Sequence, residues 1–142
     1  QDKKGNREKG GGSMESGNDF RRTIGKEGED IACRLLEERG HMILERNWRS
    51  GHLEIDIISC DKDGIHFVEV KARRHSIQAP PQENVNVQKQ KKIVKAAQSY
   101  LRKWKGAGVR NKECMFDVIA VTFREDTVTT EYFKQAFIPI FI

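Results

Sequence analysis

The sequence has no apolar run near the ~18 residues of a membrane-spanning helix, which excludes a helical span. Its first residues are polar throughout, so no secretory signal is expected there. Cysteine is scarce: Cys33, Cys60 and Cys114 form an odd set without paired spacing. This argues against a disulfide framework and against a zinc site, and for free thiols in a reducing, cytoplasmic setting. The four histidines, His41, His52, His66 and His75, have no ligand spacing with each other or with cysteine, so surface or loop roles are expected. No internal repeat is present.

Charge is plentiful and unevenly placed. The whole chain carries a net +5, yet the stretch from Lys71 to Lys112 holds twelve Lys or Arg against one acid, Glu83. That block, at +11, leaves the remainder at −6. Such a footprint suits a polyanion. Its nucleic-acid-binding candidates are Arg73, Arg74, Lys89, Lys91, Lys92 and Lys95. The plainer reading is a solvated, lysine-rich helix face. A membrane surface fits less well, because the apolar face of that helix is needed for the core.

Residues 1–18 are Gly, Lys, Asp and Ser without apolar periodicity and read as a disordered tail. Met14 is a candidate natural start, which would make residues 1–13 an addition. Residues 19–142 read as one domain. The spacing of Ile24, Ile31, Ala32, Leu35 and Leu36 predicts a helix from about Asp19 to Arg39, stopped by Gly40. Glu29 leans toward its apolar stripe, aimed either at solvent or at something inside. A strand is expected over Met42–Trp48, and Arg49-Ser50-Gly51 turns the chain. Ala72 to Asn86, with Pro80-Pro81, reads as a loop. A second helix is expected from about Asn86 to Lys105, ended by Gly106 and Gly108. Met115–Phe123 reads as a buried strand, Thr127–Tyr132 as a weaker one, and Ala136–Ile142 as an edge strand or covering tail. Trp48 and Trp104 are expected in the core, with base stacking an alternative for Trp48. Asp117, in an apolar strand, fits a capping or network residue. The order α-β-β-β-α-β predicts an α/β fold with a mixed central sheet flanked by helices.

The informative stretch is Gly51–Arg74. Two apolar runs, Leu53–Ile58 and Ile65–Lys71, flank Asp61-Lys62-Asp63-Gly64, whose Asp-Gly end signals a hairpin. Alternation puts Glu54 and Asp56 on one face, and Glu69 and Lys71 on one face. Adjacent antiparallel strands can set Asp56 beside Glu69. Two such carboxylates repel unless one is protonated or a cation joins them. Mg²⁺ or Mn²⁺ would suit these hard oxygens, with the Val70 carbonyl a further ligand. Lys71 could then act on a bound water or on charge developing at phosphate. For Glu69-Val70-Lys71 alone, an ordinary cross-strand ion pair is the competing reading.

The order α-β-β-β-α-β with Asp…Glu-x-Lys resembles the core of the PD-(D/E)XK nuclease superfamily, a restriction-endonuclease-like fold. More closely, the chain resembles the YraN-type family of bacterial proteins, related to archaeal Holliday junction resolvases. The resemblance rests on Gly28-Glu29-x-x-Ala32, Arg46-Asn47-Trp48-Arg49, Glu54-Ile55-Asp56-Ile57-Ile58, Phe67-Val68-Glu69-Val70-Lys71-x-Arg73, Lys89-Gln90-Lys91 and Phe116-Asp117-Val118-Ile119, and spans Gly25 to Phe137. It implies a site of Glu29, Asp56, Glu69 and Lys71. Gln90, three before Ile93, is the polar residue of the second helix that could reach it. The sequence departs from the pattern in lacking a proline before Asp56 and in carrying His52-Leu53 where a glycine is expected directly before Glu54. The glutamine–tyrosine pairing of exonuclease-like relatives is not reproduced either. The leading expectation is a Mg²⁺- or Mn²⁺-dependent endonuclease acting on DNA, with branched or damaged DNA as specific candidates. The rival is a non-catalytic nucleic-acid-binding or assembly module with the same fold, and a plain structural protein comes third. Oligomeric state is left open, a homodimer included.

Overall fold

A computed structural model describes residues 17–75, 85–103 and 113–139, with the backbone alone for 17–21. The elements run α1 (Gly17–Glu38), β1 (Met42–Ser50), β2 (Leu53–Asp61), β3 (Gly64–Arg74), α2 (Val87–Lys103), β4 (Cys114–Phe123) and β5 (Val128–Phe137). They form an α/β fold with one five-stranded sheet, in the spatial order β1-β2-β3-β4-β5. β3 and β4 are parallel and the other neighbours are antiparallel. The crossover through α2 is what a parallel pair requires. Among the described residues, no helix is long and apolar enough to cross a membrane.

Each helix covers one face of the sheet. Ala32, Cys33 and Leu36 of α1 pack on Ile57, Val68, Ile119 and Val121. Ile93, Val94, Ala96, Ala97 and Tyr100 of α2 pack on Ile55, Ile58, Ile65, Phe67, Phe116 and Val118. Burying each full-sized aliphatic or aromatic side chain contributes roughly 1.5–3 kcal/mol. Trp48 lies at the margin of the second cluster, edge-on to Tyr100 with ring centroids 5.3 Å apart. α1 comes so close to β3 that a Cβ at Gly28 would stand 2.6 Å from the Ala72 Cβ. Gly40, at φ +94°, ends α1 as expected: the His41 N–H donates to the Leu36 carbonyl at 2.9 Å, and the Gly40 N–H to that of Glu37 at 3.0 Å. Asn86 caps α2, its Oδ1 accepting the Lys89 N–H at 2.8 Å.

Three expectations need correcting. Ala72–Arg74 are not loop. They extend β3, paired with Val121, Thr122 and Phe123 of β4, because the parallel partner supplies hydrogen bonds that local sequence cannot reveal. The last strand is longer than Thr127–Tyr132 and includes Ala136 and Phe137. Alternation also fails in β2: Ile55 and Ile57 should share a face, yet they belong to opposite cores. The register with β1 is kept on either side, Trp48↔Ile55 and Arg46↔Ile57, so the break falls at Asn47 and Asp56. Asn47 has φ +51°, a conformation asparagine tolerates better than most residues. Pro80-Pro81, Trp104, Gly106, Gly108 and the last three residues lie outside the described residues.

Candidate metal and nucleic-acid site

The register of β2 with β3 begins at Asp61↔Gly64 and ends at Ile57↔Val68. One step further the strands part, at Asp56 and Glu69. Val68 and Val70 face α1 while Phe67 faces α2, so Glu69 emerges on the α2 side. Glu29 comes from α1, on the other side of the sheet. The gap between the strands lets carboxylates from both faces approach Asp56.

The Val70 N–H donates to Asp56 Oδ2 at 2.8 Å, and the Asp56 charge acts on the neighbouring Glu69 carboxyl. Burial and the Asp56 charge push the Glu69 carboxyl up to about 7. Burial, followed by the same charge, pushes Glu29 up to about 6. Asp56 is also raised, by burial above all and by Glu54, against the opposing Val70 N–H. Burial is the largest cause at all three carboxyls, and like charge adds to it. Two cations among the described residues reach in. Lys89 Nζ lies 3.4 Å from Glu69 Oε2, and Arg46 is 3.8 Å from Glu29 while bonding Asp30 at 2.8 Å. Asn47 Nδ2 donates to Glu29 Oε1 at 2.9 Å.

Of the expected site residues, Glu29, Asp56 and Glu69 are brought together. Lys71, two residues after Glu69 in β3, is half-buried on the same side of the strand. Val70 contributes its N–H to Asp56, and its side chain packs in the α1-side core. Lys89 is an ion-pair partner of Glu69, beyond the phosphate-binding role expected of it. The Gln90 amide nitrogen is engaged elsewhere, donating to the Val85 carbonyl at 2.7 Å. Lys91, Lys92, Lys95 and Arg74 are exposed, and Arg73 is half-buried.

Sequence reasoning gave no role to Arg46, Asn47 or Glu54. The first two sat within the quoted stretch Arg46-Asn47-Trp48-Arg49, whose polar residues in an otherwise plain strand were the available signal.

Residues 28–121 match the family described as Uncharacterised protein family UPF0102. The chain belongs to that family. A UPF0102 protein of Nitratidesulfovibrio vulgaris (strain DP4) is 40% identical over 119 residues, covering 84% of this chain and 87% of the relative. A UPF0102 protein of Bacteroides thetaiotaomicron is 38% identical over 117 residues, or 82% and 93% of the two chains. One from Chlorobium chlorochromatii (strain CaD3) is 41% identical over 120 residues, or 80% and 90%. The UPF0102 match contains Glu29, Asp56, Glu69, Lys71 and Lys89, so the candidate site lies wholly within it.

The same chain holds a second polar cluster that contradicts a surface or loop role for two histidines. His41 and His66 are buried, at 7% and 0% exposure. Their spacing of 25 residues concealed them. The strand pair Ser59↔His66 and the chain reversal at Gly40 bring them together, with ring centroids 4.4 Å apart. Asp117 is a network residue, accepting from Tyr132 Oη at 2.5 Å and from the Gln135 N–H at 2.9 Å.

Proposed function

We propose that this UPF0102 protein is a metal-dependent endonuclease that hydrolyses DNA phosphodiester bonds, with branched DNA as the first substrate class to try. The observation that carries this reading is the half-buried Asp56–Glu69 pair, with Glu29 near enough to feel the Asp56 charge, where β2 and β3 separate. The residues fit a hard divalent cation: the donors are carboxylate oxygens, close enough that the Asp56 charge adds to burial in raising Glu29 and Glu69. Asp56 and Glu69 would hold Mg²⁺ or Mn²⁺, with Glu29 beyond them and the Val70 carbonyl a further oxygen. When bound, the ion supplies Lewis-acid polarisation of a phosphoryl oxygen and lowers the pKa of water.

The chain's own residues do the rest. The Val70 N–H fixes the Asp56 carboxylate. Asn47 and Arg46 orient Glu29. Lys71, on the same side of β3 as Glu69, would stabilise charge on a phosphate oxygen. Lys91, Lys92 and Lys95 on α2, with Arg73 and Arg74, would hold the DNA backbone without reading sequence.

The test is a cleavage panel of linear, flapped and four-way DNA with Mg²⁺ and with Mn²⁺. Cleavage that needs the cation and vanishes in Asp56→Asn supports the reading. A second reading, a non-catalytic nucleic-acid-binding or assembly module, draws on the Lys89–Glu69 pair, since that ammonium already supplies a countercharge at the site. Salt-sensitive DNA binding with no cleavage of any substrate would leave only this second reading.

A further inference from the structure

At the other end of the β2–β3 hairpin, two imidazoles converge on one carboxylate. His66 Nε2 lies 2.8 Å from Asp61 Oδ1, and His41 Nε2 lies 3.3 Å from Asp61 Oδ2. The outward nitrogens are both occupied: His66 Nδ1 meets Asp117 Oδ2 at 2.6 Å, and His41 Nδ1 meets Ser59 Oγ at 2.9 Å. Asp61 Oδ1 also accepts the N–H groups of Asp63, at 3.0 Å, and Gly64, at 3.3 Å. The three inward donors lie within 4.8 Å of one another. A tetrahedral zinc ion, with ligands some 2.0–2.1 Å away, needs donors about 3.3 Å apart, so the His41 contact already fits, the His66 nitrogen must draw back from Asp61 by about 0.5 Å, and no donor pair need close by more than about 1.5 Å.

We propose that His41 Nε2, His66 Nε2 and the Asp61 carboxylate form a zinc-binding site, separate from the carboxylate site at the far end of the same strands. Three features distinguish it from a chance meeting of polar side chains. The arrangement of imidazoles is that of metal ligands: each ring turns one nitrogen inward and has the other held by an oxygen, which fixes ring orientation, and on His66 that oxygen is a carboxylate. The outer groups are themselves anchored, Asp117 by Tyr132 and the Gln135 N–H, Asp61 by the turn backbone. The donors are dry, with side-chain exposures of 3% for His41, 0% for His66 and 11% for Asp61. Two imidazoles and one carboxylate suit Zn²⁺ and other late transition cations rather than Mg²⁺. Here zinc would tie three parts of the fold together: the α1–β1 junction at His41, the β2–β3 turn at Asp61, and the start of β3 at His66. Its role would be structural.

The experiment uses the full chain, stripped with chelator and titrated with Zn²⁺, and with Co²⁺ as the spectroscopic probe. The site predicts one ion per chain, the intense visible absorption of low-symmetry Co²⁺, and a thermal midpoint that rises with free Zn²⁺. His41→Gln should abolish the spectrum. Because His66→Gln could unfold the protein, Asp117→Asn provides a milder variant, expected to weaken binding by roughly 10–100-fold as outer-sphere substitutions do. An Asp56→Asn, Glu69→Gln double variant should bind zinc as the parent does, which keeps this site distinct from the proposed catalytic one. The inference is overturned if the parent shows no visible Co²⁺ band, if His41→Gln and Asp117→Asn bind like the parent, or if the double variant loses the ion. A thiolate-to-cobalt band would equally overturn it, since no cysteine belongs to this donor set.

Discussion

At the turn end of the β2–β3 hairpin, Asp61 and Asp117 are matched by two imidazoles, a phenol and backbone N–H groups. At the open end, Asp56 meets Glu29, Glu54 and Glu69, with Lys89 and Arg46 the cations that reach them. The consequences are opposite for the same functional group. Burial alone would raise Asp61, but hydrogen bonds from His66 and the Asp63 N–H outweigh it and lower the carboxyl to about 2. At the open end, burial and like charge act together, taking Glu69 to about 7. Burial raises both carboxyls and is the largest influence on Glu69. The sign of the shift turns on whether the fold also brings donors or further acceptors to the oxygens.

The comparison breaks most sharply in activity. Asp56→Asn and Glu69→Gln should remove DNA cleavage by at least about two orders of magnitude while leaving the fold intact, because each relieves carboxylate repulsion. Nuclease rate and thermal midpoint measured on the same samples check this. An undiminished rate in either variant would falsify the catalytic reading. At the turn end the pattern should reverse. Asp117→Ala strands the buried His66 and should cost about 3–5 kcal/mol of stability, read from denaturant unfolding.

Stability against pH provides a further contrast, of opposite sign at the two ends. Glu69 binds its proton more tightly folded than unfolded. Its contribution is complete below about 4.5 and is lost as pH rises through about 7. At about 1.4 kcal/mol per pKa unit, the loss is on the order of 3 kcal/mol in metal-free protein. It should vanish in Glu69→Gln and shrink when Mg²⁺ is added. Asp61 contributes stability above its ordinary 3.8, and that contribution is lost as pH falls through about 2. A Glu69→Gln protein with the parent's pH profile between 4.5 and 7 would show the open end to be neutralised after all. The smallest effect concerns DNA. Replacing Lys91, Lys92 and Lys95 together should flatten the dependence of log affinity on log salt by about 0.9 for each lysine that contacts a phosphate. An unchanged slope would mark them as solvated only.

Much of this could be read from the chain because it is local. The Asp63-Gly64 turn sets the hairpin, and the periodicity of Ile93, Ala97 and Tyr100 sets α2. Glu29 was marked by leaning toward an apolar stripe. What escaped was set by distant partners. The extension of β3 depends on β4, and His41 meets His66 only once the sheet has formed. The reversal of face at Asp56 depends on a left-handed Asn47 in the neighbouring strand. A period-two pattern carries no trace of such a break, so strict alternation set Asp56 near Glu69 without revealing how they meet.

Gly28 sets the spacing between α1 and β3 beside the proposed site. With hydrogen where other residues carry Cβ, α1 rests against Ala72 as against a mechanical stop, and the next residue along is Glu29. The reach of that carboxylate toward Asp56 is therefore calibrated by backbone thickness, at a point where no polar group is involved. Gly28→Ala should gain about 0.5–1 kcal/mol in helix propensity and lose roughly 1–3 kcal/mol to overpacking. The folded product would have α1 tilted off the sheet, carrying Glu29 outward as the end of a lever. Cleavage should then fall further than stability does, although every charged side chain has been kept. Equal activity per folded molecule in Gly28→Ala would show that the helix can rock without consequence.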